Sequence, residues 1–504
     1  MEQLKIGWAK REISIDGPVS IPGQMYMRIS EGIMDPLYAT ALCIDGGAGA
    51  DAVIFCSLDV TVMRGGIMKR SIARALELQP DIPEQAIIMN ATHTHSSCAM
   101  THQPEKSLDG LDIYPAEKWM DFAVERIAEA IAEAWSTRQA GGVAYGYGYA
   151  VVSHSRRTVY KVDKGAGAPA GMTSNGHAVM YGKTKDPEFS GYESGADHFV
   201  NLLYTFDRNN ALTGILINVP CPSQTSEHFK KLSADYWNEV RQMVAETFGP
   251  SVYVLPQCAA AGDLSPRILH FRDAQVRRMQ LKYGIVYDQE ASNVRGSEDQ
   301  VKKCLAERYD IAERILTAVK EVYGWASKDI RTHLPLQHER KTLALRKRLI
   351  TEEEMLAAKE VAEHTVYVQA EGLTPEQARV ERNRYDSMIR RNRSIVERFT
   401  EQQTEPTMDS IIHVLRIGDM AFSSNRFEYY MDFMHRIQAR SPFLQTAVIQ
   451  LAGDEGGSYL ATAKAQANKG YGSSMYENQV GEEGGSQIVE ETLNVLQRMK
   501  AEQP

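Results

Sequence analysis

Apolar runs and helical apolar patterns alternate along the first third of the chain. Residues 52–58 are a short apolar run, and residues 86–92 are a second, mostly apolar segment, which is typical of buried strands. Residues 67–78 and 115–135 instead place apolar side chains at three- and four-residue spacing, which predicts helices. Strands that alternate with helices in this way predict a layered α/β fold with a mixed sheet.

The pattern continues further along the chain. Two apolar runs at 199–206 and 212–219 flank a polar turn, which predicts a β-hairpin. Further predicted elements are listed here: a helix at 234–248, strands at 252–255 and 411–422, and an amphipathic helix after 485. Residues 268–405 are highly charged and mostly helical in pattern, so we expect one large α/β unit with a helical insertion.

Three segments have unusual composition. Residues 141–150 alternate glycine with aromatic residues but lack the order of a nucleotide-binding motif, which favours a strand against which another backbone packs closely. Residues 164–196 form a long Gly-, Ala-, Ser- and Asn-rich stretch, which predicts a binding loop or lid. The basic run 379–393 is typical of a solvated helical face or an oligomer contact, with anion or nucleic-acid binding as the alternative.

Composition and charge narrow the class of protein. The 504 residues are 43% hydrophobic and 24% charged, which is globular, and the net charge of −9 argues against a uniformly basic nucleic-acid surface. Six scattered cysteines form no CxxC pair, and the N-terminus has no apolar signal region. We therefore expect reduced thiols, a cytoplasmic protein and no stable membrane anchor, since no apolar run approaches the ~18 residues of a membrane span.

A pair of histidines follows the predicted strand 86–92. If the extended backbone continues, His93 and His95 point to the same side with Cα atoms about 6.5–7 Å apart. One site could then use both side chains. From the residues alone, a metal role and a structural role for this pair are equally open.

Other candidates stand near the ends of predicted strands. They are Ser265 in Gly-Asp-Leu-Ser-Pro, Cys221 in Pro-Cys-Pro-Ser-Gln, Glu428, Tyr459 and Arg156. Taken singly, each is better explained by a structural role. Ser265 would be a turn residue, Cys221 a buried thiol and Glu428 a solvent-directed acid. Tyr459 would be a packed aromatic residue and Arg156 a surface arginine.

Two of these motifs together resemble the catalytic domain of the neutral/alkaline, non-lysosomal ceramidase family. That family shows Ala-Thr-His-Thr-His-Ser at a strand end and Gly-Asp-Val-Ser-Pro-Asn at a turn, and this chain has close counterparts at 91–96 and 262–266. The resemblance extends from residue 6 to the region of Tyr459. It implies a single ceramidase-like catalytic domain over 1–504, with 268–405 as a largely helical elaboration within it.

The resemblance also implies a site with one zinc ion. The family's ligands are two histidines, a glutamate and a tyrosine, which correspond to His93, Glu428 and Tyr459, with Cys221 in place of the second histidine. Thiolate is a good zinc ligand, so Cys221 could complete the set. The alternatives are that Cys221 only lines the pocket, that His228 or Glu227 replaces it, or that the metal has been lost.

The implied reaction is metal-dependent hydrolysis of an amide linkage. His95 is implied as the general acid/base, with Ser265 and Arg156 orienting the substrate or stabilising the oxyanion. A nucleophilic Ser265 is the mechanistic alternative. Two other functions stay open: hydrolysis of a small polar sugar derivative or ester at the same site, and a catalytically inactive binding protein. We expect a small-molecule substrate and no nucleic acid, and the sequence leaves a homo-oligomer open.

Overall fold

The computed structural model describes residues 2–47, 51–101, 112–167 and 175–502. The strands in chain order are β1 (Lys5–Glu12), β2 (Ser20–Ile21), β3 (Arg28–Ile29), β4 (Tyr38–Asp45), β5 (Ala52–Leu58), β6 (Ile87–Ala91), β7 (Gln139–Tyr149), β8 (His154–Ser155), β9 (Arg157–Tyr160), β10 (Ala178–Met180), β11 (Phe189–Tyr192), β12 (Phe199–Asp207), β13 (Leu212–Val219), β14 (Tyr253–Cys258), β15 (Leu264–Ser265), β16 (Leu336–Arg346), β17 (Thr407–Ile417), β18 (Met420–Ser424), β19 (Glu428–Tyr429), β20 (Gln445–Ile449) and β21 (Tyr459–Leu460). The helices are α1 (Ile67–Leu78), α2 (Ala116–Ser136), α3 (Tyr236–Phe248), α4 (Arg272–Tyr283), α5 (Glu298–Ala326), α6 (Glu352–His364), α7 (Pro375–Glu401), α8 (Met431–Arg440), α9 (Ala463–Asn468) and α10 (Glu482–Ala501).

Two mixed sheets form the centre of the molecule. The larger has eight strands in the order β14-β13-β12-β7-β1-β4-β5-β6, with parallel pairs at both ends and antiparallel pairs between them. The smaller has the order β16-β17-β18-β20 and ends in the parallel pair β18–β20. The predicted α/β class with a mixed sheet is therefore confirmed.

The sheets pack face to face, and helices cover their outer faces. In β4, alternate side chains serve the two faces, because Ala41 and Cys43 belong to the core under the helices while Leu42 and Ile44 belong to the core between the sheets. The rings of Phe55 and Phe422 meet across the two sheets with centroids 5.3 Å apart. Helices α2, α3 and α5 cover the larger sheet, and α8 and α10 cover the smaller one. The result is a helix–sheet–sheet–helix arrangement.

Most predicted elements lie where the sequence pattern placed them. The predicted helix 67–78 matches α1, and the glycine-aromatic stretch is the strand β7. The predicted strand 411–422 is instead two antiparallel strands, β17 and β18, because Gly418 adopts φ 64 and turns the chain.

The predicted helical insertion contains α4 to α7 together with one long strand. That strand, β16, pairs along its whole length with β17, so part of the 268–405 region belongs to the smaller sheet. Helices α6 and α7 each begin with a capping box, in which Thr351 and Thr374 bond reciprocally with Glu354 and Gln377.

The glycine-rich stretch 164–196 forms a small sheet where it is described. Strands β10 and β11 pair with β9, and residues 168–174 of the predicted loop lie outside the described residues. All six cysteines are free and buried. Within the described ranges, every helix is too short or too polar to cross a bilayer.

Candidate active site

Segments that are far apart in the chain converge on one cavity of about 730 Å³. The loops after β6 and β13, the residue between β8 and β9, and the strands β19 and β21 supply the polar side chains His93, His95, Arg156, Glu227, Glu428 and Tyr459. Five of the residues predicted to form the site, all but Cys221 and Ser265, therefore line the same space.

The two histidines meet in the cavity, but not by the predicted route. β6 ends at Ala91, and His93 adopts φ 63 in the left-handed region, so the backbone does not continue as an extended strand. The rings of His93 and His95 lie edge to face with centroids 4.8 Å apart, and their Nε2 atoms are 3.4 Å apart. Gly23 packs against the His95 ring so closely that a Cβ atom there would lie 2.5 Å from its Cγ.

One side of the cavity combines His93 with Glu428. The carbonyl oxygen of Thr61 lies 2.7 Å from His93 Nδ1 and fixes that nitrogen as the donor, so Nε2 of the neutral ring presents a lone pair. Nε2 lies 3.4 Å from Glu428 Oε2. Two acceptors that face each other at this distance require a cation or a shared proton between them.

Arg156 and Tyr459 complete this side. Arg156 Nη2 donates to the Tyr459 hydroxyl at 3.0 Å and to the Gly262 carbonyl at 2.7 Å, and it lies 3.8 Å from Glu428 Oε2. Burial raises the pKa of Glu428, but His93 in its protonated form and Arg156 outweigh it, so the net pKa is lowered and the carboxylate is ionised. Burial raises the pKa of Tyr459 well above its ordinary value, although Arg156 opposes it.

The other side of the cavity combines His95 with Glu227. Glu227 Oε2 lies 3.3 Å from His95 Nδ1, and its second oxygen accepts a hydrogen bond from Arg267. Burial lowers the pKa of His95, although Glu227 opposes it. Burial acts against ionisation of Glu227, but Arg267 and His95 hold its pKa far below the ordinary range.

Sequence reasoning found this second side only in part. The sequence suggested Glu227 and His228 only as replacements for Cys221 as a zinc ligand, and both line the cavity. Gln224, whose Nε2 lies 2.8 Å from His95 Nε2, and Arg267 were missed. A usable signal was present: Gln224 closes the Pro-Cys-Pro-Ser-Gln segment, and Arg267 immediately follows the Gly-Asp-Leu-Ser-Pro motif.

Cys221 lies elsewhere, so its prediction as a ligand or a pocket-lining residue needs correction. Its side chain is fully buried in the core under the helices, and Sγ lies 3.3 Å from the Val152 carbonyl oxygen. Burial raises the pKa of the thiol well above its ordinary value, which disfavours the thiolate that zinc requires. Because Pro220 and Pro222 restrict the backbone on both sides, the thiol cannot readily turn towards the cavity.

Ser265 is also absent from the cavity wall. Its hydroxyl is fully buried in β15 and accepts the backbone N–H of Arg267 at 3.2 Å. This geometry does not support the predicted roles as nucleophile or oxyanion donor.

The Gly-Asp-Leu-Ser-Pro turn instead holds the site in place. Gly262 approaches the Glu428 backbone so closely that a Cβ atom would lie 2.4 Å from its carbonyl oxygen. The Asp263 carboxylate accepts the Met431 N–H at 3.0 Å, and its carbonyl accepts the Arg156 N–H at 3.1 Å. The turn therefore fixes Glu428, Arg156 and, through Ser265, Arg267.

The predicted four-ligand zinc set does not assemble completely. Within the parts of the chain that the structure describes, no group of three or more His, Cys, Asp and Glu side chains is arranged to hold a metal ion. His93, Glu428 and Tyr459 nevertheless line one side together, and imidazole, carboxylate and phenol are N and O donors of the type that zinc accepts. Three protein ligands with one open position are the usual number at a catalytic zinc.

Two solved structures share this fold. Neutral ceramidase from Pseudomonas aeruginosa matches 98% of this chain and 75% of that chain, with a TM-score of 0.65 and 15% sequence identity. A ceramidase complexed with C2 matches 100% of this chain and 76% of that chain, with a TM-score of 0.64 and 15% identity. The chain has a ceramidase-like fold. No protein-family model and no curated protein matches its sequence.

The ceramidase-like fold confirms the resemblance drawn from the two motifs. At 15% identity the shared feature is the architecture, and fold alone does not fix the substrate. The chemistry must therefore be argued from the side chains of this cavity.

Proposed function

We propose that this protein is a hydrolase that cleaves an amide linkage in the cavity. The observation that carries the proposal is the convergence of His93, Glu428, Tyr459 and Arg156 on one side and His95 with Glu227 on the other. Acyl transfer to water needs an electrophilic centre beside a proton carrier, and these two groups supply them.

We further propose that one zinc ion is held by His93, Glu428 and Tyr459. The lone pair on His93 Nε2 that faces the ionised Glu428 carboxylate supports a cation at this position. When bound, zinc supplies Lewis acidity for a scissile carbonyl and for water. Arg156 holds the Tyr459 hydroxyl by a hydrogen bond and balances the charge of Glu428.

His95 is proposed as the proton carrier. Its Nδ1 faces the Glu227 carboxylate, which favours the proton on Nδ1. Nε2, which then accepts the Gln224 amide N–H, takes a proton from attacking water when the water replaces that contact. The same Nε2 then donates that proton to the leaving amine. Glu227 stabilises the imidazolium that forms between the two steps, and Arg267 keeps Glu227 ionised.

A second candidate is the hydrolysis of a small polar sugar derivative or ester. It is favoured by the many guanidinium and phenol groups on the cavity wall, among them Arg156, Arg267, Tyr181 and Tyr471. A catalytically inactive binding protein is the third reading, since Cys221 does not supply the fourth ligand.

The test combines metal analysis with a substrate panel. The purified protein is assayed against N-acyl amines, N-acetylated sugars and matched esters, before and after chelation and zinc restoration. Amide cleavage that disappears with zinc and returns with it supports the proposal. Ester cleavage without amide cleavage favours the second candidate, and bound ligand without any turnover favours the third.

A further inference from the structure

The cavity has an excess of positive charge although the protein is acidic. The whole chain has a net charge of −9. The described residues that line the cavity nevertheless include six arginines and three glutamates, with no lysine or aspartate. The arginines are Arg64, Arg156, Arg267, Arg295, Arg390 and Arg391. Such a concentration of one sign in a concave site raises the local concentration of ligands of the opposite sign.

The three glutamates are already matched by guanidinium groups of the same wall. Glu227 pairs with Arg267, and Glu477 pairs with Arg391. Glu428 lies 3.8 Å from Arg156. These three pairs leave Arg64 and Arg295 without a carboxylate from the described cavity lining.

Arg64 and Arg295 are the two arginines on which the charge argument depends. Both are exposed, and neither has a carboxylate within 4.0 Å in the described ranges. Arg64 is held by its Nε, which donates to the Gly456 carbonyl at 3.3 Å, and Arg295 is held by stacking 4.9 Å above the Tyr26 ring. Guanidinium groups fixed in this way keep N–H groups for bidentate contact with an oxyanion.

The two arginines act on different sides of the cavity: Arg64 on the side of Glu428, and Arg295 on the side of His228. The Glu428 carboxylate acts to raise the pKa of Arg64 against the lowering effect of burial, whereas the positive charge of Arg295 contributes to lowering the pKa of His228, which burial chiefly causes. Helix α7 adds Arg390 and Arg391 to the wall, so the basic run 379–393 is not only a solvated face. The helical insertion 268–405 thus contributes positively charged side chains to the cavity wall.

We infer that the substrate of this cavity is an amide that carries an oxyanion group, a carboxylate or a phosphate, recognised by Arg64 and Arg295. The inference rests on the proposed hydrolase function and names its substrate class. An uncharged amide would fit this cavity less well. Its binding would remove water from Arg64 and Arg295 without giving them an anionic partner, which costs free energy.

The test uses matched pairs of probes that differ in one charge. The first pair is an N-acetyl amino acid and its methylamide, and the second is an N-acetylhexosamine and its 6-phosphate. Binding is measured by calorimetry and cleavage by kcat/KM for wild type, Arg64→Gln and Arg295→Gln. Arg393→Gln is the matched control, because Arg393 lies exposed on α7 outside the cavity lining. Thermal unfolding confirms that each variant is folded.

We expect the anionic member of at least one pair to bind about tenfold more tightly or better, which is the scale of one charge-assisted contact. The preference should shrink in Arg64→Gln or Arg295→Gln and at high salt, and it should persist in Arg393→Gln. If the preference appears with the N-acetyl amino acid, the recognised group is a carboxylate. If it appears with the hexosamine 6-phosphate, the recognised group is a phosphate.

Equal binding of charged and neutral members by wild type overturns the inference, as does a preference that survives in both cavity variants. Absence of anion binding by wild type overturns it too. Anion binding through these arginines without cleavage of any amide leaves the inference standing and overturns the proposed function.

Discussion

The two sides of the cavity each pair a histidine with a glutamate, but the glutamate faces a different ring nitrogen on each side. On the first side, the Thr61 carbonyl binds His93 Nδ1 and Glu428 faces Nε2. On the second side, Glu227 faces Nδ1 of His95, and Nε2 points to His93 and Gln224. The neutral carbonyl leaves His93 suited to be a neutral ligand, whereas the charged Glu227 carboxylate also stabilises an imidazolium at His95, as a proton carrier needs.

The difference also shows in what surrounds each carboxylate. Glu428 is placed by β19, which pairs with β21, so that Glu428 and Tyr459 are register partners. Glu227 belongs to the loop after β13 and is held by side chains, chiefly Arg267. The first side is therefore fixed by strand pairing and the second by a salt-bridge network, which makes the second side the easier one to perturb without unfolding.

The largest expected effect is the loss of the first side. His93→Ala removes the lone pair that faces Glu428, and we expect kcat/KM to fall by about 10³-fold, the scale of losing one group that stabilises developing charge. Bound zinc should fall in parallel when measured by elemental analysis. Normal zinc content together with normal turnover would contradict the assignment of this side.

The second side should give a smaller effect of a different kind. Glu227→Gln keeps the shape but removes the charge that orients His95, so we expect kcat to fall about 10–100-fold, as for other groups that orient a reacting side chain. Zinc content should stay at the wild-type level. Loss of zinc in this variant would mean that the two sides are not chemically distinct.

Sequence pattern was sufficient for the layers of the fold. Helix α1 and strand β5 were predicted with correct ends because their apolar spacing is regular and proline or polar residues follow. The division of 411–422 into two strands was not predicted, because apolar content is continuous there and only one glycine marks the turn. Strand β16 was missed in the insertion because its charged residues mask the alternation.

Only the site residues that belong to recognisable sequence motifs could be predicted. His93, His95, Glu428, Tyr459 and Arg156 were found through their likeness to family motifs. Side-chain direction was not predictable: the segments that carry Cys221 and Ser265 reach the site, but both side chains point into the core. Arg64 and Arg295 carry no motif, and only the folded chain brings them to the cavity.

A pair of histidines outside the cavity should lower stability in acid, and it must be separated from the active-site histidines. His338 Nε2 lies 2.9 Å from His413 Nδ1, with Asp51 and Arg340 beside them. Burial lowers the pKa of His338 to about 4 and that of His413 well below its ordinary value. The unfolded chain therefore binds more protons, so stability is full above about pH 6.5 and is lost as pH falls towards 4.

We expect a loss on the order of 3 kcal/mol from His338 alone across that window, to which His413 adds. Urea unfolding measured at several pH values should show it, and His338→Gln should flatten the slope. A wild-type slope that the variant leaves unchanged would assign the acid sensitivity to other groups, including those of the cavity.

The smallest expected effect concerns Cys221, and it tests whether the first side is complete without it. In Cys221→Ser the hydroxyl can still donate to the Val152 carbonyl, which lies 3.3 Å from Sγ, so we expect stability to fall by only about 1 kcal/mol. Zinc content and kcat/KM should match the wild type, because the thiol points into the core and burial keeps it protonated. Cys258→Ser is the matched control, since Cys258 is a second fully buried thiol that lines no part of the cavity. A sharp loss of zinc in Cys221→Ser but not in Cys258→Ser would show that the segment 220–222 turns its thiol towards His93 when metal binds, and the three-ligand assignment would then be wrong.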